Sequence, residues 1–191
     1  MRHSSPSIIL ASQSPRRRQL LAESGYHFQV ITPSESAEQG NVGSSPAELV
    51  RQFAYQKAAD VVPKVPTGIV VGCDTVAECG DQILGKPRDV HHAREMLQLL
   101  SGRSHRVYSG LCLWRRPDNE TRLEVAISEL YMEPISPAEL DQYLDSGAWQ
   151  GKAGAFGYQD QLDWLRLVNG SESNVVGLPL ELFTRLLAEL S

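Results

Sequence analysis

One four-residue phrase occurs twice and constrains this chain more than any other feature: Ser45-Pro-Ala-Glu48 and Ser136-Pro-Ala-Glu139. Each is a capping box. The serine hydroxyl meets the backbone N–H three residues on, the glutamate reaches back to the serine N–H, and proline occupies the first helical position. Two helix starts are thereby fixed, one running to about Val62 and one ending near Ser146-Gly147. A third start lies at Ser14-Pro15, with a helix over Pro15–Ser24 and Gly25 beyond its end. A fourth helix fits Val90–Ser101, with Ala93, Met96, Leu97 and Leu100 on one face and Gly102 as its stop. A last helix closes the chain at Pro179–Glu189.

Strand signals fall between these helices. Ser7–Ala11 reads as a short buried strand. Gly68–Cys79 is a longer one, with a Gly80-Asp81 turn to Gln82–Leu84. His105–Trp114 and Arg122–Met132 are joined by Pro117-Asp118-Asn119, and Leu162–Val168 forms a further strand. In the second of the joined pair, alternation places Leu123, Val125 and Ile127 on the buried face. The breaker-rich stretch Thr32 to Pro46 reads as a loop. Helices interleaved with hairpins predict an α/β fold on a mixed sheet. At 191 residues the chain is expected to form one domain, residues 1–191, with a core that needs no staples.

Composition excludes several classes. The three cysteines, Cys73, Cys79 and Cys112, match no disulfide framework or zinc spacing, which points to a reducing compartment. The first apolar run, Ile8 to Ala11, is too short for a signal peptide, and no run approaches a membrane span. The net charge of −5 argues against nucleic acid and acidic membranes as partners. Any bound anion must be captured locally.

Four places break the local rules. Arg16, Arg17 and Arg18 occupy the first turn of the Pro15 helix, where cations are disfavoured by ~0.3–1 kcal/mol each. Either this start, with Ser12 and Ser14, is built for a phosphate, or the arginines pair with acids elsewhere or are solvated. Lys57 lies on the core-facing side of its helix, as a functional ammonium or as a snorkelling stem. Asp74 interrupts the run from Ile69 to Ala77. A carboxylate there needs a cation, a metal or hydrogen bonds, or else caps an exposed strand end. Lys86-Pro87 and the glycine cluster Gly151–Gly157 permit close backbone approach to a ligand, or form simple tight turns. His91, His92 and His105 lack ligand spacing and read as structural or surface groups.

In order along the chain, Leu10-Ala-Ser-Gln-Ser-Pro-Arg-Arg17, Lys57, Gly72-Cys-Asp-Thr75, Leu84-Gly-Lys-Pro87, Leu100-Ser-Gly102, Tyr108-Ser-Gly110, Ser146-Gly147, Lys152–Gly157 and Asn174–Pro179 resemble the Maf family. The resemblance implies an α/β domain similar to the inosine triphosphate pyrophosphatases, an elongated mixed sheet flanked by helices, with two lobes around a central cleft. It implies hydrolysis of a nucleoside triphosphate to the monophosphate and pyrophosphate with a divalent cation, Mg²⁺ or Mn²⁺. A cytoplasmic homodimer is also implied. Carried over by position, Asp74 is the general base and a metal carboxylate, and Ser12, Arg17, Lys57 and Lys86 clamp the phosphates. Arg16, Thr75 and Gln159 match the subgroup acting on dTTP and UTP rather than on 7-methyl-GTP.

The sequence also departs from the family pattern. A functional Asp-Glu pair is replaced by Ser36-Ala37, with Glu38 one place later as the candidate metal ligand. Cys73 stands where Ala or Ser is usual, and Asp160 replaces the glycine that usually follows the specificity glutamine, adding negative charge beside the base pocket. The altered acidic loop favours an alternative, a nucleotide-binding regulator of cell division with little turnover. Arg16 and Gln159 argue against a purine-directed enzyme.

Overall fold

The computed structural model of the chain describes residues 7–38, 45–160 and 162–190, with the side chain of Glu38 outside the described set. Its elements are β1 (Ile8–Ala11), α1 (Pro15–Glu23), β2 (Phe28–Val30), α2 (Pro46–Val61), β3 (Gly68–Cys79), β4 (Gln82–Leu84), α3 (Val90–Leu100), β5 (Arg103–Arg116), β6 (Thr121–Met132), α4 (Pro137–Asp145), β7 (Leu165–Asn169), α5 (Glu172–Val176) and α6 (Leu180–Glu189). Among the described residues the strands form a mixed sheet in the order β2-β1-β3-β5-β6-β7, with β4 paired to β3. β1 runs parallel to both β2 and β3, whereas β3–β4 and β6–β7 are antiparallel. This is the mixed α/β architecture expected from the interleaved signals.

Both capping boxes close in full, at Ser45/Glu48 and Ser136/Glu139. Ser14 caps α1 by accepting from the Arg17 N–H. α3 buries the four residues its spacing predicts, Ala93, Met96, Leu97 and Leu100. Two predictions need correction, and two elements were not predicted. β2 and α5 give no signal that sequence reading picks up. β7 begins at Leu165 rather than Leu162, because a turn at Asp163-Trp164 precedes it. In β6 the expected buried face holds only in part: Leu123 and Val125 are half-buried, Ile127 is 49% exposed, and the buried residues are Ser128, Leu130 and Met132. The run Leu123-Glu-Val-Ala-Ile127 sets one parity, and Leu123 does pack half-buried against a core, but the fully buried apolar residues, Leu130 and Met132, have the other.

The chain divides into two compact units. The first comprises the described residues of Met1–Asp74, Ser109–Ala126 and Gly177–Ser191; the second comprises those of Thr75–Tyr108 and Ile127–Val176. In the first, one apolar cluster joins Leu10, Leu21, Val71, Leu111, Leu178 and Phe183, and another joins Ile9, Ala54, Ala58, Val70 and Cys112. In the second, Leu97, Leu100, Leu130, Met132, Tyr143 and Phe156 belong to one core. All three cysteines are buried thiols outside any disulfide, and burial alone pushes the Cys112 thiol up to about 12. Among the described residues no helix is long and apolar enough to cross a membrane.

Candidate active site

Parallel pairing of β1 and β3 brings Ala11 level with Gly72. The next residues, Ser12 just past β1 and Cys73-Asp74 on β3, follow that pairing within the first unit. The chain leaving β1 turns at once into α1, so the positive end of a helix dipole, capped by Ser14, follows Ser12 directly. Ser12 is 3% exposed, and its Oγ accepts from the Ser14 N–H at 3.1 Å and from Arg17 Nη1 at 3.4 Å. Arg17 Nε donates to the Gly177 carbonyl at 2.7 Å, and the Cys73 thiol donates to the same oxygen at 3.3 Å. Arg17 is thus held by the chain entering α6, and Cys73 helps to fix the acceptor. Arg16 is half-buried one residue earlier, while exposed Arg18 donates to the Gln13 carbonyl.

α2 supplies the partner of Asp74. A methyl group on Gly72 would collide with the Ala54 carbonyl and lie 2.9 Å from Ala58 N. One on Gly110 would collide with the Val50 carbonyl and lie 2.8 Å from Arg51 N. The bare Cα atoms of β3 and β5 therefore let the helix backbone rest directly on the strands. At that approach Lys57 Nζ lies 2.6 Å from Asp74 Oδ1, with side chains only 9% and 13% exposed. Lys57 does not snorkel to water; it is the cation that an Asp inside an apolar strand requires. The second oxygen of Asp74 takes no hydrogen bond among the described residues.

Near the same helix, Ser34 donates to Asp60 through its N–H at 3.0 Å and its hydroxyl at 2.7 Å. The side-chain bond, then the backbone one, holds the Asp60 carboxyl below its ordinary value. Asp60 thereby anchors the lead into the 3-10 turn Glu35–Glu38, inside the stretch predicted as loop. Glu38, the candidate metal ligand, lies outside the described side chains. Among the described residues no three His, Cys, Asp or Glu side chains gather as a metal cage.

Thr75 follows Asp74 in β3 and begins the second unit, half-buried. Lys86 and Gln159 also belong to the second unit, and both are exposed on loops. Those loops are tied together: the Gly154 N–H donates to the Gly85 carbonyl at 3.0 Å. The structure therefore gathers Ser12, Arg17, Lys57 and Asp74 in one unit, and Lys86 and Gln159 on linked loops of the other.

Sequence reading missed two supports. One is the Cys73–Gly177–Arg17 arrangement, whose only signal was a cysteine in an unusual place. The other is an ion pair of Lys152 with Asp160, eight residues apart in the glycine-rich segment. The charge that Asp160 was expected to add is compensated by that lysine.

A largely buried carboxylate–ammonium pair just past the parallel register of β1 and β3, in the same unit as an arginine-bearing helix start, defines an α/β protein equipped for a phosphorylated ligand. The family model described as Maf-like protein matches residues 7–190, and the chain belongs to the Maf family. A dTTP/UTP pyrophosphatase of Rhodopirellula baltica is 52% identical over 183 residues, 95% of this chain and 81% of that one. A dTTP/UTP pyrophosphatase of Dehalococcoides mccartyi is 39% identical over 186 residues, 97% of this chain and 83% of that one. Among solved structures, a HAM1 protein from Coxiella burnetii is similar in fold, with a TM-score of 0.51 and 16% identity over 96% of this chain and 99% of that one.

Proposed function

We propose that this chain is a nucleoside triphosphate pyrophosphatase that hydrolyses dTTP and UTP to the monophosphate and pyrophosphate. The observation that carries the proposal is the Lys57–Asp74 pair beside the start of α1, 2.6 Å between Nζ and Oδ1. The names of the relatives at 52% and 39% identity support the same chemistry and substrate. They do not favour the reading as a division regulator with little turnover.

Asp74 takes the proton of the attacking water as that water adds to phosphorus at the α–β anhydride. Lys57 lends positive charge where negative charge grows. Ser12 and Arg17, at the positive end of α1, hold phosphate oxygens, and Lys86 adds a cation for the leaving pyrophosphate. The oxygen donors fit Mg²⁺ or Mn²⁺: Asp74 offers a carboxylate with one oxygen that takes no hydrogen bond among the described residues. Asp74, with Glu38 as second carboxylate, would hold that cation, which supplies charge neutralisation on the phosphates. Arg16, Thr75 and Gln159 select the base, Gln159 through an amide that both donates and accepts toward a uracil-like edge. The homodimer and cytoplasmic location implied by the family resemblance, and one domain spanning residues 1–191, belong to the same proposal.

Pyrophosphate release measured across the nucleoside triphosphates, with Mg²⁺ and with Mn²⁺, tests it. dTTP and UTP are expected to give the highest kcat/KM. Release from none of them, or a preference for purines, would sink the proposal.

A further inference from the structure

Gln159 presents a physical problem. Its amide carries a donor and an acceptor, so by turning over it serves a uracil edge and a cytosine edge equally well. A glutamine distinguishes the two only where its surroundings fix which way the amide faces, and they can do so only if the backbone that carries it is held in place. Base readers need their geometry fixed to roughly 0.5 Å, and a short exposed turn does not provide that alone.

The turn carrying Gln159 is held on both sides. Gln159 lies in the 3-10 turn Tyr158–Asp160 and is exposed. Before it, Tyr158 donates its hydroxyl to Glu172 Oε1 at 3.2 Å, reaching α5. After it, Asp160 Oδ2 is paired with Lys152 Nζ and accepts from the Tyr143 hydroxyl at 3.1 Å, reaching α4. Lys152 is 8% exposed, and Tyr143 is locked edge-on against Trp164 with centroids 5.5 Å apart. The pair also closes over the backbone between its partners. A methyl group on Gly157 would strike Lys152 Nζ and lie 2.6 Å from Asp160 Oδ2.

A largely buried ion pair of this kind contributes little net stability against an apolar alternative, but it does fix geometry. We infer that Asp160 is a positioning residue for base selection: paired with Lys152 and bonded to Tyr143, it fixes the turn that presents Gln159 to a uracil-like base. The inference rests on the proposed reading of Gln159. It assigns a role to a residue that stands where a glycine was expected, and to a lysine with no part in the phosphate clamp.

The test compares UTP with CTP, which differ in the donor–acceptor pattern of the base edge. Steady-state pyrophosphate release is measured for the unaltered chain, Gln159→Ala, Asp160→Asn, Asp160→Glu and the double variant Lys152→Met/Asp160→Asn. Calorimetric Kd values for UMP and CMP give a readout that does not depend on turnover. The double variant leaves no buried ammonium without its partner, so it folds even where Asp160→Asn does not. It is expected to lower the UTP:CTP ratio of kcat/KM about tenfold, through KM, with kcat for UTP within about threefold. The UMP:CMP affinity ratio falls in step. Asp160→Glu, which still reaches Lys152, recovers most of the ratio. If Gln159→Ala collapses the ratio and the double variant leaves it unchanged, the inference alone is overturned. The same holds if the double variant lowers kcat equally for both nucleotides. If Gln159→Ala leaves the ratio unchanged, the reading of Gln159 falls and takes the inference with it.

Discussion

Asp74 and Lys57 answer each other, and the consequences of removing either can be separated. Asp74→Asn keeps the shape and removes the base, so kcat should drop at least about a hundredfold. It also removes the counter-charge of largely buried Lys57, at a cost of about 3–5 kcal/mol. The double variant Lys57→Met/Asp74→Asn should regain most of that stability and none of the activity. Thermal midpoints set beside kcat for the three proteins check this, and near-normal turnover in Asp74→Asn would end the proposed mechanism. Glu38 is tested by metal dependence instead. Glu38→Gln should raise the Mg²⁺ or Mn²⁺ concentration giving half-maximal rate, and Glu35→Gln should do little; an unchanged metal curve removes Glu38 from the site. Much of this was legible as broken local rules: three arginines at a helix start, a lysine on a core face, an aspartate inside an apolar strand. The physical cost of each marked it before any geometry was known. The Lys57–Asp74 pairing was not legible, because the two residues meet across 17 positions through the docking of a helix on a strand.

That docking depends on two glycines that read as ordinary strand residues. Gly72→Ala should force α2 off β3, because the new methyl group meets backbone at Ala54 and Ala58 rather than a movable side-chain tip. A loss of about 1–3 kcal/mol is expected from overpacking, together with a kcat/KM loss as Lys57 is moved from Asp74. Gly80→Ala serves as control, since nothing lies within 4 Å of a methyl group there and only the strain of its φ of +60° is added. Denaturant midpoints and kcat/KM for the two variants decide it: a Gly72→Ala protein as stable and as active as the original removes the close-approach argument. Elements with self-contained signals were legible, as α2 and α4 were from their capping boxes and α3 from its single apolar face. Elements made by their surroundings were not. β2 is three residues long and forms a strand by pairing with β1. α5 is five residues long and is tethered by Asn174, whose amide donates to the Val107 carbonyl and to Ser128 Oγ. Neither is long enough to show a period.

Acid stability is a property of the whole chain, and one buried imidazole dominates its first step. His105 is 3% exposed in the core of the second unit, its ring edge-on to Phe156, and its Nε2 has no hydrogen-bond partner among the described residues. Burial pushes its pKa down from 6.5 to about 4. The unfolded chain therefore takes up a proton near pH 6.5 and the folded chain does not until about pH 4. Stability falls as pH is lowered through that window and levels off below it, by on the order of 3 kcal/mol for a shift of this size. Asp60, Asp118, Glu124 and Glu139, held low chiefly by hydrogen bonds from Ser34, Arg115, Arg185 and Ser136, act in a lower window, because their stabilisation is lost only as pH falls below the ordinary carboxylate range. The two windows can be resolved. His105→Gln should flatten denaturant stability between pH 6.5 and 4 and leave the lower limb in place. Because the apolar cores lie within separate units, hydrogen exchange at pH 5 should quicken in Thr75–Tyr108 and Ile127–Val176 before it does in β1 and α2. A stability curve that His105→Gln leaves unchanged would show that the imidazole is not the group being titrated.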